Sequence, residues 1–138
     1  MITTREQSFK TKTKGESLQL KVRDQLRNFV ADPDLIQSQK MSAHGEDIII
    51  DPKLRKDMPY SFECMYSSKP VTSTDLMKKM KQAKRQNNDL ALAIKTIPAV
   101  IFEIEGSEPI ILIPYNDFSE DRFGKNIVAN EEQENEVH

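Results

Sequence analysis

A chain of 138 residues, 37% hydrophobic and 30% charged, can bury one sizeable core but not two, so a single globular domain with polar ends is expected. The net charge of −2 selects no partner by itself, and a lone cysteine, Cys64, excludes an intrachain disulfide and a cysteine-based zinc site. No apolar run reaches the ~20 residues of a membrane span and the amino terminus has no signal-peptide core, so a soluble cytoplasmic protein with no membrane partner is expected.

Taken in order, residues 1–13 carry Arg5, Lys10 and Lys12 among Thr and Ser, with few apolar residues, and read as a basic flexible arm. From Glu16 to Val30, Leu18, Leu20, Val22, Leu26 and Val30 recur at spacings of one helical stripe, which Ala31-Asp32-Pro33-Asp34 ends. Glu16 falls in the first turn of that helix, where an acid favours the dipole. Leu35 to Met41 is expected as a first strand, delivering the chain to a turn that holds His44 and Gly45. Asp47 to Asp51 and Tyr60 to Tyr66 are expected as the next two strands, with a Pro-bounded connector between them carrying Lys53, Arg55 and Lys56. Ser73 or Thr74 can cap a helix with Asp75 in its first turn and Leu76, Met80 and Ala83 as its buried stripe. Pro98 to Ile104 and Pro109 to Pro114 are fourth and fifth strands around a Glu105–Glu108 hairpin turn, and Asn116-Asp117-Phe118 opens a short closing helix. From Gly124 the polar, acidic end reads as disordered, giving an arm at 1–13, a domain at 14–123 and a tail at 124–138. The fold class that follows is an α/β sandwich, a central mixed sheet of about five strands flanked by helices.

Side chains alternate faces along a strand, so Asp47 lies with Ile49, while Glu63 lies with Met65 and opposite Phe62 and Cys64. If the two strands pair, Asp47 and Glu63 converge. Two carboxylates held close repel when both are ionised, and a hard divalent cation such as Mg²⁺ relieves that repulsion. Solvated strand-end acids are the ordinary alternative. The near-neutral total also hides an uneven distribution: Lys69, Lys78, Lys79, Lys81, Lys84, Arg85 and Lys95 face only Asp75 and Asp89 across the second helix. That is the footprint a phosphate backbone would use, or else a solvated helix face. On the helix, Lys78 and Lys79 stand four and three residues before Gln82, so all three approach one face.

The order Gly45-Glu46-Asp47-Ile48-Ile49, a turn, Pro59-Tyr60-Ser61-Phe62-Glu63-Cys64 and a helix with Gln82-Ala83 resembles the PD-(D/E)xK nuclease superfamily. Within it, the likeness is to the small phage and archaeal branch that includes Holliday junction resolvases, and it spans residues 14–118. The resemblance implies a restriction-endonuclease-like fold and a homodimeric endonuclease, Mg²⁺- or Mn²⁺-dependent, acting on branched or junction DNA. It implies a metal held by Asp47, Glu63 and the backbone carbonyl of Cys64, with Glu16 reaching it through water. Where the family places a lysine two residues after the glutamate, this chain has Met65. A thioether neither ionises nor binds Mg²⁺ well. Three explanations stay open: a lysine supplied from elsewhere, with Lys78 or Lys79 foremost and Lys69 or Lys84 behind them; an inactivated protein that still binds DNA; or Met65 as ordinary packing.

Overall fold

The computed structural model describes residues 4–40, 46–89 and 95–124, with residues 4–12 and 88–89 described by backbone alone. It is a mixed α/β fold. In chain order come α1 (Thr4–Arg27), β1 (Ile36–Ser38), β2 (Ile48–Ile50), β3 (Tyr60–Ser67), α2 (Ser73–Asp89), β4 (Ile97–Ile104), β5 (Ile110–Leu112) and α3 (Tyr115–Phe123). Short 3₁₀ turns sit at Pro33–Leu35 and Pro52–Leu54, each capped by the aspartate before its proline.

α1 begins at Thr4, well before the expected start near Glu16. Nothing between Thr4 and Lys14 breaks a helix, so the packed turn around Leu18 propagates backwards, and Gly15 costs only about 1 kcal/mol within it. The acidic tail beyond Gly124, the turn holding His44 and the run from Leu90 to Ile94 lie outside the described residues.

All five expected strands occur, but in two sheets and not one. β1 and β2 form an antiparallel pair, while β3, β4 and β5 form a mixed sheet with β3 and β4 parallel and β5 antiparallel to β4. β2 is only three residues long and the chain turns away after Asp51 into the 3₁₀ turn at Pro52–Leu54, so it builds no ladder onto β3. A backbone bond crosses from the first pair to the second, from the Asp47 N–H to the Phe62 carbonyl (3.0 Å). α2 connects the parallel strands β3 and β4, as parallel pairing requires. At the β4–β5 turn, Gly106 takes φ +84°, which an L side chain rarely adopts.

Two helices cover opposite faces. Leu18 and Val22 of α1 pack with Ile36, Ile48, Ile50, Phe62 and Ala99 in the larger core. Met80 and Ala83 of α2 pack with Val100 and Leu112 in the smaller one. Ala99 and Val100 are neighbours on β4 and point to opposite sides, which fixes the layer order as α1, strands, α2. Leu20, expected in the stripe of the first helix, is 42% exposed. The helical period leaves it on the far side from Leu18 and Val22. α2 opens one residue earlier than expected. Thr72 is the cap, its hydroxyl accepting from the Asp75 N–H while the Asp75 carboxylate accepts from the Thr72 N–H (3.2 Å each).

A buried ion pair pins the connector between β2 and β3. Arg55 donates to Glu46 Oε1 (2.5 Å) and to the Tyr60 carbonyl (2.7 Å), with side chains 2% and 8% exposed. Burial raises the Glu46 carboxyl above the usual range, and Arg55 pulls it back. Glu46 Oε2 and Arg55 Nε have no hydrogen-bond partner among the described residues. Removing one member strands the other charge in the interior. Arg55→Ala is therefore expected to cost about 3–5 kcal/mol in urea denaturation, and Glu46→Leu with Arg55→Met together far less. Equal losses from the single and double replacements would show that the pair's charge is not what is being lost.

Candidate functional site

Asp47 is held from several directions at once. Its carbonyl accepts from the Gln39 N–H (2.8 Å) and from the Gln19 side-chain amide (3.4 Å), and its N–H donates to Phe62. Phe62 and Cys64 present their backbone groups on the same edge of β3, since residues two apart share an edge as they share a face. Where a further rung of ladder would otherwise take up the Cys64 N–H, the carboxylate of Asp47 does so, Oδ2 accepting at 2.6 Å. The aspartate thus stands in for backbone, and its side chain is fixed in direction against β3.

Glu63, one residue along β3 from both Phe62 and Cys64, turns to the α2 face and is 2% exposed. There its carboxyl is hydrogen-bonded to Asp47. A hydrogen bond between two carboxyl groups needs a proton, and burial followed by the Asp47 charge pushes Glu63 up to about 8. Opposing that shift is the Lys79 ammonium of α2, whose Nζ lies 3.6 Å from Glu63 Oε2. The Cys64 thiol is pushed up by burial and then by the two acids, so it is no thiolate nucleophile.

The structure therefore gathers Asp47, Glu63 and Lys79 and sets them beside a cleft of about 330 Å³ between β3 and α2. Lys78 and Gln82 line that cleft with Lys79; Lys78 is exposed and Gln82 half-buried. Met65, at the strand position where a lysine would be sought, lines the opposite wall. Cys64 touches the site through its backbone N–H. Glu16 is exposed on α1, and the polar side chain that α1 sends to Asp47 is Gln19, 4% exposed. Gln19 had a signal in the sequence, because it stands three and seven residues before Val22 and Leu26, in phase with the apolar stripe. Of the connector's basic residues, Lys53 and Lys56 are exposed while Arg55 is consumed in the ion pair with Glu46.

Among the described residues no group of three or more His, Cys, Asp or Glu side chains is arranged to hold a metal ion, so the pair of acids is what a cation would meet. No helix among them is long and apolar enough to cross a membrane. Comparison of the chain with protein-family models, with curated proteins and with solved structures returns no match.

The Glu63 proton makes stability depend on pH in a defined direction. Its carboxyl sits at about 8 when folded against an ordinary 4.5, so the folded state holds a proton that the unfolded chain releases between those values. The resulting stabilisation is complete below the lower value and lost as pH rises to the upper. Urea midpoints should fall from about pH 5 to about pH 8 in the native protein and stay much flatter in Glu63→Gln. Superimposable profiles would remove Glu63 as the group responsible.

Proposed function

We propose that this protein is a metal-dependent endonuclease that hydrolyses phosphodiester bonds in DNA, a PD-(D/E)xK-type enzyme whose lysine has moved from the strand to the following helix. The observation that carries the proposal is the meeting of Asp47 with Glu63, whose carboxylate lies 3.6 Å from the Lys79 ammonium, beside a cleft that Lys78 also lines. Phosphoryl transfer asks the protein mainly for placement and opposing charge, and these groups supply both.

Two acids sharing one proton suit a hard cation, which meets the same crowding of negative charge that the proton relieves. Asp47 and Glu63 would hold Mg²⁺ or Mn²⁺, with the Cys64 carbonyl as the third oxygen that the family likeness implies. Such an ion polarises a phosphoryl oxygen and acidifies bound water. Lys79 counters charge that develops on the phosphate and orients the attacking water, the role Met65 cannot fill. Lys78 and Gln82 contact the flanking phosphate from α2, where Lys81, Lys84 and Arg85 are also exposed.

The finer fold assignment belongs with this proposal. The Asp47–Phe62 bond between the two sheets supports taking them together as a restriction-endonuclease-like sandwich, a reading that goes beyond the two separate sheets themselves. Junction DNA as the preferred substrate, and a homodimer making paired cuts, rest on the family likeness alone.

A second proposal, a catalytically inert DNA-binding module on the same fold, is favoured by Met65 facing the cleft where the family lysine would stand. Cleavage of four-way-junction, duplex and single-stranded DNA with Mg²⁺ or Mn²⁺ separates the two. The enzyme proposal expects cutting by the native chain, reduced on the order of a hundredfold or more in Asp47→Ala, Glu63→Ala and Lys79→Met, and less in Lys78→Ala. It also expects Met65→Lys to restore cutting in the Lys79→Met background. A native chain inert on all three substrates, switched on by Met65→Lys alone, would establish the binding module instead.

A further inference from the structure

The cleft beside the acids has two unlike walls. Lys78, Lys79 and Gln82 form the α2 wall, and Met65, on the Glu63 face of β3, forms the other with Val71, around a volume of about 330 Å³. Two further polar lining groups are already satisfied locally. The Ser67 hydroxyl donates to the Lys69 carbonyl (2.7 Å), and the Asp75 carboxylate accepts from the Thr72 N–H (3.2 Å). The cleft therefore offers a ligand two ammonium groups and the Gln82 amide, offset by the one Asp75 carboxylate at its α2 edge, opposite the apolar side chains of Met65 and Val71.

We infer that this cleft seats one nucleotide of an unpaired DNA strand, its phosphate on the Lys78–Lys79–Gln82 wall and its base against Met65 and Val71. The inference deepens the proposed nuclease by naming the form in which DNA reaches the acids. An intact duplex offers a surface only its sugar–phosphate ridge, and its base faces stay stacked inside, leaving an apolar wall unmatched. A single strand carries both halves in each repeat, a charged phosphate and an apolar face free to stack. The volume is at the lower end of small-ligand sites, about 300–1,000 Å³, enough for one base and its sugar and not for a helix. Beyond the cleft, Lys81 and Arg85 stand three and seven residues after Lys78 on the same exposed side of α2, a basic track about 10 Å long at 1.5 Å per residue. That length covers the next phosphates of an extended strand. Met65 gains a role here, since a lysine in its place would put a charge into the wall that receives the base.

The test is binding, with EDTA present so that no cleavage intervenes. Fluorescence anisotropy would compare oligo(dT), the same oligonucleotide with consecutive abasic positions, oligo(U) and a blunt duplex of equal length. The expected order is oligo(dT) about tenfold or more tighter than both the abasic strand and the duplex. Met65→Ala with Val71→Ala should weaken oligo(dT) severalfold and leave duplex binding unchanged. Lys78→Ala should weaken every ligand and lower the salt slope by about one. The abasic comparison needs no variant to fold. Equal affinity for oligo(dT) and its abasic form would overturn the base contact, equal or tighter duplex binding would overturn the unpaired strand, and tighter oligo(U) would reassign the groove to RNA. Loss of the oligo(dT) preference in a protein that still cuts DNA with Mg²⁺ removes the groove and keeps the nuclease; the preference without any cutting keeps the groove and removes the nuclease.

Discussion

One residue's backbone and side chain hold the two halves of this molecule in register. The Asp47 N–H bonds to Phe62, its carbonyl receives Gln39 and Gln19, and its carboxylate receives Cys64. β1 and β2 belong to one sheet and β3 to another, so these bonds are where the first third of the chain is fitted to the rest. A carboxylate that accepts a backbone N–H keeps its charge and loses its freedom. The same contacts that close the seam therefore aim a negative group at the neighbouring strand, and Glu63 is there to meet it.

Folding this pair costs the protein something, because two acids and a lysine are drawn together where little water reaches. Burial and the Asp47 charge push Glu63 towards its protonated form, and with the Lys79 ammonium this relieves the crowding of the two acids. The buried Glu46–Arg55 pair nearby is of a different kind. It fastens the connector to β3 through the Tyr60 carbonyl and holds the residue before Asp47 in place. One ion pair ties a buried connector to a strand and the other borders a cleft through Lys79, a distinction that charge counting cannot make.

How much of this was legible in the sequence varies with the range of the interaction. The convergence of Asp47 and Glu63 was legible only on the condition that their strands pair; β2 and β3 share no ladder, and the bonds from Asp47 to Phe62 and Cys64 bring the acids together instead. The face shared by Lys78, Lys79 and Gln82 follows from helical spacing, but which lysine reaches the acids depends on how α2 is rotated over β3, and that is set by Met80 and Ala83 packing against Val100. The division into two sheets was hidden because an apolar triplet bounded by proline looks the same whether or not its far edge finds a partner. Arg55 resembled any basic loop residue, since its burial depends on Glu46, nine positions away, folding back over Tyr60. The backward growth of α1 past Glu16 was missed because a polar segment with no stripe of its own gives no periodic signal, even when a packed helix downstream carries it along.

The unequal cores beneath the two helices bear on motion. α1 is seated on a cluster of seven buried residues, whereas α2 has Met80, Ala83 and Val100 among the described residues. The layer that bears the ammonium is the more lightly anchored of the two. A brief lifting of that helix from the sheet would uncover Glu63 and separate it from Lys79 while the other layer stayed closed, a local opening that would admit solvent to Glu63 without global unfolding.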